Sequence, residues 1–363
     1  MKVCFAWLDL ADPTDRGIAE SLARELRALG HSVCFVGPRR RAGEPFRQVV
    51  GGVAVYRVGP AKDLAVSQLL RIHSREAVDV WHCHVFARDH GPFTHAARLA
   101  RWPQVVTLHL VLEDYLPFLG GVRGLRGLIG TSQAVTLASR SQRGEFLRLC
   151  PAWRGPAPVV YYGSPGPRAA APLPEGVRKP YVLSVARLAP YKGQDLLLMA
   201  FAKVLEKRPD LRLVLCGRDQ MNGGIQRFIR ALGLEGRVTL TGGVSPRRVQ
   251  GLIKGCEFLV LPSRRENFPL VLLEAMAAGE AVLASATGGI PEMLRDGKDG
   301  LLVPPNDVEA LARGMLELCG DPSLRRRLGR RAKLRSRAFS WRRAAAAYSR
   351  LYAHAVRSPA PRG

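Results

Sequence analysis

Short, nearly continuous apolar runs alternate along the first half of the chain with longer stretches whose apolar residues recur every three or four positions. The runs at 3–8, 32–36, 53–58, 78–82, 105–108 and 128–131 read as strands. Between the first two, residues 18–29 put Leu22, Leu26 and Leu29 on one helical face, and Gly30 stops the helix. Strands apolar on both faces, alternating with helices, predict buried parallel sheets. The rhythm breaks over 151–180, which carry eight prolines and read as a stiff linker. It restarts at 181–186, 211–216, 238–241, 258–261, 281–284 and 301–303. From about 305 to 354 the pattern is helical, and 358–363 read as a frayed tail. Two such α/β units joined by a hinge predict a cleft, with ligands at the carboxyl ends of the strands.

Composition narrows the class. No apolar run approaches the ~18 residues of a bilayer-spanning helix. The first run is cut short by Asp9, so it reads as a buried strand rather than a signal peptide. Seven cysteines, odd in number, scattered and never in a C-x-x-C pair, indicate reduced thiols in a cytoplasmic protein and exclude a zinc site or disulfide framework.

Net charge is +25, from 55 basic and 30 acidic residues, yet only nine of the basic residues are lysine. That arginine bias, with abundant alanine, glycine and proline, is the mark of a GC-rich genome, and anionic substrates suit it. Nucleic acid is not expected as a partner, because aromatics stand at 7% and the cations are spread out. The densest basic run, Arg325 to Arg337, has helical composition. It reads either as a solvated face or as a peripheral contact with anionic headgroups at the inner face of a membrane.

The most informative segment runs from Leu261 to Gly279, L-P-S-R-R-E-N-F-P-L-V-L-L-E-A-M-A-A-G. A strand ends at Leu261, Asn267 suits an N-cap, Pro269 suits the first helical position, and Gly279 ends the helix. Such a helix start offers unpaired backbone N–H groups and positive dipole charge to a diphosphate. Glu266 precedes it and Glu274 follows, spaced to accept hydroxyl hydrogen bonds on either side of a bound diphosphate. Leu272, Leu273, Ala275 and Met276 flank Glu274 and predict a buried setting, where a carboxylate needs a partner. The loop after the first strand of the second unit, S-V-A-R-L-A-P-Y-K-G from Ser184, adds the cations Arg187 and Lys192.

With the E-x7-E pair, the R-x4-K-G loop and G-G-I-P-E-M-L-R-D-G-K-D-G-L-L-V-P-P from Gly288, the chain resembles the retaining GT-B glycosyltransferases of family 4, the glycosyl transferases group 1. The resemblance covers essentially the whole chain and is strongest over 181–312. It implies two facing Rossmann-like domains with parallel sheets and an interdomain cleft. The acceptor-side domain would span 1–165, a linker 166–179 and the donor-binding domain 180–338, with a helix at about 340–357 packing back on the first domain.

The resemblance also implies roles for particular residues. Arg187 and Lys192 would bind the donor diphosphate, Glu266 the donor sugar and Glu274 the ribose, with backbone amides around Asn267 and Phe268 facing sugar and phosphate. His109, ending the run V-V-T-L-H, would approach the transferred sugar. Residues 12–17, from Asp12 to Gly17, would form the N-terminal phosphate and acceptor loop. Gly217 and the Thr241-Gly-Gly243 turn read either as flanking ribose and base or as plain strand-to-helix turns. No metal and no cofactor is implied beyond the nucleotide sugar, UDP ahead of GDP, and the acceptor would be a glycan, a lipid-linked sugar or a small molecule. The chain departs from the family in having only Gly17 where a glycine pair is usual, E-N-F-P in place of E-G-F-G, and Val160-Tyr-Tyr-Gly-Ser164 where Asn-Gly is common.

His82 and His84, in W-H-C-H-V, sit on one strand face and suggest packing or cleft lining more than metal binding. Trp341, Tyr348 and Tyr352 read as packing residues of the last helix. Two rival functions stay open: a nucleotide-sugar epimerase or phosphorylase on the same architecture, and a non-catalytic basic protein that binds membrane or nucleic acid.

Overall fold

The protein is described here as a computed structural model, covering residues 1–6, 13–39, 43–59, 61–85, 91–164 and 169–358, without the side chains of 13–15 and 62. The chain divides into two compact units, one of 1–163 with 340–363 and one of 164–339.

In the first unit the strands are β1 (Lys2–Ala6), β2 (Ser32–Pro38), β3 (Arg47–Val50), β4 (Val53–Val58), β5 (Val80–Val85), β6 (Gln104–Leu108) and β7 (Ala134–Leu137). They form one sheet in the order β3-β4-β2-β1-β5-β6-β7, in which only β3 runs antiparallel. Every residue of β5 and β6 is buried, including the polar His82, His84, Gln104 and Thr107. The core gathers Cys4, Val36, Leu69, Trp81, Val106 and Phe146, with the Trp81 and Trp102 rings stacked at 4.5 Å.

Three expectations for this unit change. The run at 128–131 is no strand: Leu125, Leu128 and Ile129 are the buried face of helix Gly121–Ile129, and the strand comes later, at β7. The hairpin β3–β4 was not foreseen, although Gly51 and Gly52 take the positive φ values, 58° and 73°, that a tight two-residue turn needs. Helix Pro13–Ala28 buries Ile18, Leu22 and Leu26, but Leu29 falls beyond its end and is exposed.

Helix Trp341–Arg357, last in sequence, belongs to this first unit. Trp341, Tyr348 and Tyr352 are buried in it, and His31 Nε2 lies 2.8 Å from Ser349 Oγ. The backbone at Gly163 runs against Trp341 so closely that a Cβ there would stand 2.2 Å from the Trp341 nitrogen.

The second unit has β8 (Tyr181–Val185), β9 (Arg212–Cys216), β10 (Val238–Gly242), β11 (Leu259–Leu261), β12 (Val282–Ser285) and β13 (Leu301–Val303). All are parallel, in the order β10-β9-β8-β11-β12-β13. Chain order reverses between β8 and β11, the switch point at which α/β sheets gather ligands. The proline-rich segment is not a separate linker. The Ala171 N–H donates to the Arg247 carbonyl at 3.0 Å, and its own carbonyl fills the space a Cβ on Gly251 would need, so 169–180 packs as part of this unit.

The basic run lies on helix Pro322–Ser336, and two of its arginines are structural. Arg325 pairs with Glu257 at 2.6 Å. Arg335 reaches the Glu292 and Met293 carbonyls and, at 3.5 Å, the buried Asp299, which Arg295 also grips.

Gly163→Ala should therefore strain the seat of the last helix and lower the unfolding free energy by about 1–3 kcal/mol, as overpacking does. Denaturant titration with an unchanged m-value would show it.

Candidate functional site

At the switch point of the second unit, three loops are drawn together by glycines. Gly193, after β8, has φ +69°, and a Cβ there would lie 2.2 Å from the Pro262 carbonyl oxygen. Gly288, after β12, has φ +55°, and its Cβ would lie 1.7 Å from the Glu266 carbonyl oxygen. No other residue type permits either approach. Arg264 staples the same loops, with a bidentate pair to Asp195 at 2.7 and 2.6 Å and a bond to the Pro190 carbonyl. Its own N–H donates to the Tyr191 carbonyl at 2.9 Å.

This clamp brings Lys192 Nζ within 2.7 Å of Glu266 Oε1. The side chains are 14% and 6% exposed, so the pair is shielded from water and held far more firmly than a surface ion pair. Ser263 Oγ donates to the same oxygen at 2.9 Å. Asn267 and Phe268, next in the chain, are buried. The Asn267 carbonyl accepts the Gly289 N–H at 2.9 Å, and Phe268 meets Phe339 edge to face.

Helix Leu270–Ala278 starts two residues later than expected. Pro269, not Asn267, is its N-cap, and a proline has no side-chain acceptor to offer the first N–H groups. Gly279 ends it at φ +88°. Glu274 is half-buried on this helix rather than fully enclosed.

Arg187 is exposed after β8, and its carbonyl accepts from Gln194 Nε2 at 2.9 Å. Gly217 ends β9 beside it, where a Cβ would meet the Ala186 carbonyl oxygen at 1.8 Å. Arg187, Lys192, Gly217, Glu266, Asn267 and Phe268 thus all sit on loops at the carboxyl ends of adjacent strands. Ser263, Asp195 and Arg264 were not foreseen; a serine and two charges within a few residues of the E-x7-E and K-G motifs were the signal available.

In the first unit, His109 follows β6 and is buried with both ring nitrogens engaged. Nδ1 is 2.6 Å from the Tyr162 hydroxyl and Nε2 is 3.0 Å from His84 Nδ1. His82, its ring 4.0 Å from that of His84, contacts the Tyr352 hydroxyl at 2.7 Å and Thr107 Oγ1 at 2.6 Å. Thr107 continues to Thr136 and Tyr348. Gly17 is not in a loop: it is the fifth residue of helix Pro13–Ala28, with open space where a Cβ would stand. Asp12, at the head of the expected loop, lies outside the described residues.

Comparison with known proteins fits this architecture. The family of glycosyl transferases group 1 matches residues 168–335, and the glycosyl transferase 4-like domain matches 18–163. The chain belongs to the GT-B glycosyltransferases of family 4. A D-inositol 3-phosphate glycosyltransferase of Streptomyces avermitilis is 32% identical over 257 residues, 64% of this chain and 55% of that protein. The chain thus spans about half the length of such curated relatives. Sucrose-phosphate synthase from Thermosynechococcus elongatus superimposes with a TM-score of 0.80 at 22% identity, covering 97% of this chain and 98% of that one. Anabaena HepE in complex with UDP-glucose gives 0.76 at 20%, covering 96% and 98%.

In this family member the three core histidines are neutral. Burial pushes the His84 pKa down to about 3. Burial, then the neighbouring imidazoles, holds His82 and His109 well below the ordinary range. A lowered native pKa means that the unfolded chain takes the proton first. Stability is complete above about pH 6.5 and is lost as pH falls toward 3. At pH 5 the buried His84 ring should cost about 2 kcal/mol, and His82 and His109 act in the same direction. The melting temperature should drop between pH 7 and pH 5, and His84→Asn should flatten that slope; an equal slope would assign the titration to other groups. Removing the other buried partner, with Lys192→Met, should strand Glu266 and cost about 3 kcal/mol by denaturant unfolding.

Proposed function

We propose that this chain transfers a glycosyl group from a nucleotide-diphosphate sugar, UDP ahead of GDP, to a glycan, lipid-linked or small-molecule acceptor, with retention of configuration and without a divalent metal. The observation that carries the reading is the shielded Lys192–Glu266 pair at the switch point, beside the proline-capped start of helix Leu270–Ala278. The likeness to Anabaena HepE, whose structure is a complex with UDP-glucose, supports the choice of donor.

In this reading Lys192 and Arg187 face the diphosphate with fixed positive charge, and the helix start adds its N–H groups and dipole. No D-x-D occurs in the sequence, so the cations take the place of an acidic metal clamp. Glu266, aligned by Ser263 and Lys192, accepts from the sugar hydroxyls, Glu274 from the ribose, and His109 approaches the sugar. The bond from the anomeric carbon to the leaving phosphate oxygen breaks as the bond to the acceptor oxygen forms on the same face. The acceptor proton passes to that phosphate oxygen. We place the enzyme in the cytoplasm, with exposed Arg326, Arg327, Arg330 and Arg331 of helix Pro322–Ser336 meeting anionic headgroups. No described helix is long and apolar enough to cross a membrane.

A thermal-shift series with UDP, GDP and their sugars tests the donor, since a ligand of the native state raises the melting point. Stabilisation by neither nucleotide would overturn the reading. Glu274→Gln should weaken UDP by about 1.5–3 kcal/mol in calorimetry, the worth of charge-assisted bonds. Arg187→Ala should lower kcat beyond its effect on donor affinity; a raised KM at unchanged kcat would limit Arg187 to uniform binding. Product NMR from a reaction run in excess EDTA checks the rest: an inverted anomer or an absolute need for Mg²⁺ contradicts the mechanism.

A further inference from the structure

Tyr162 stands where the family motif commonly carries asparagine, and it does more than fill the gap. Its hydroxyl meets His109 Nδ1 at 2.6 Å. Its ring lies between two others, stacked on His109 at 5.6 Å and on Trp341 at 6.1 Å, with interplanar angles of 24° and 25°. It is 6% exposed, and the following Gly163 presses directly on Trp341. The tyrosine is therefore fixed from three sides before it touches the histidine.

His109 is neutral, so its ring carries one proton and has two nitrogens to satisfy. With the hydroxyl on Nδ1, the other nitrogen faces His84 Nδ1 at 3.0 Å. Both contacts are satisfied by two proton arrangements, one with the proton on Nδ1 and one with it on Nε2. The short contact to a wedged phenol is the firmer hold. The longer one is to a second imidazole that can supply or accept a proton in either arrangement.

We propose that Tyr162 is the positioning residue of His109. Its hydroxyl fixes Nδ1 and the ring plane, while His84 Nδ1 holds Nε2. This rests on the reading of His109 as a sugar-facing residue. It adds a residue from the 160–164 motif and, through Trp341, ties that residue to the start of the last helix.

Tyr162→Phe in the full chain tests it, because the ring stack stays and only the hydroxyl goes. With UDP-glucose as donor, release of UDP should slow by about 10- to 100-fold in kcat, as misplacement of a positioned group does, with KM unchanged. In ¹⁵N-histidine-labelled protein the His109 ring resonances, assigned by their loss in His109→Ala, should shift, Nδ1 most of all. That spectrum needs no substrate and decides the hold on Nδ1 by itself. The double variant should be no slower than His109→Ala alone, because a residue acting through another has no effect once that other is gone. Unmoved His109 resonances, or a Tyr162→Phe deficit that multiplies on top of His109→Ala, overturns the proposal. Wild-type turnover by His109→Ala has a different signature: it overturns the sugar-facing role of His109 itself, and the present assignment with it.

Discussion

Two missing side chains organise the second unit. At Gly193 and Gly288 the backbone passes within contact distance of another loop's carbonyl, leaving no room for a Cβ. The loops after β8, β11 and β12 can close only because of this. Once they close, the Lys192 ammonium and the Glu266 carboxylate face each other in a setting that excludes most water. An ion pair of this kind contributes little net stability, since desolvation offsets attraction. What it supplies is a fixed position for each charge, and preorganised charge is what phosphate-leaving chemistry asks of a protein.

Around His82, His84 and His109 the first unit positions its buried polar atoms with uncharged groups. Three imidazoles and their hydroxyl-bearing neighbours form a network in which each ring is oriented by a phenol, a threonine or another ring. Burial keeps the rings uncharged, so they place hydrogen-bonding atoms without adding a cation to a chain already rich in them.

Much of this was legible in the sequence because parallel sheets write themselves as apolar runs. The strands from 181 onward match within a residue or two, and the glycine at 279 ends its helix as expected. The failures share a cause: tertiary contacts outweighed local signals. Asn267 is a good cap by type, yet its carbonyl is drawn to Gly289 and the helix begins later. The apolar run at 128–131 fits strand or helix equally, and burial of one helical face decided it. The wedge of Tyr162 between His109 and Trp341 joins residues more than fifty positions apart on one side and nearly 180 on the other, a distance that no local pattern reports.

The last helix gives the chain an order of assembly. Residues 164–339 form a unit contiguous in sequence. The first unit is interrupted: Tyr348 and Tyr352, which meet the buried polar atoms of His82, Thr107 and Thr136, are synthesised only after the whole second unit. Until then the sheet built first has an unfilled face with polar atoms awaiting partners. Of the two units, the one whose sheet is made first is the one completed second.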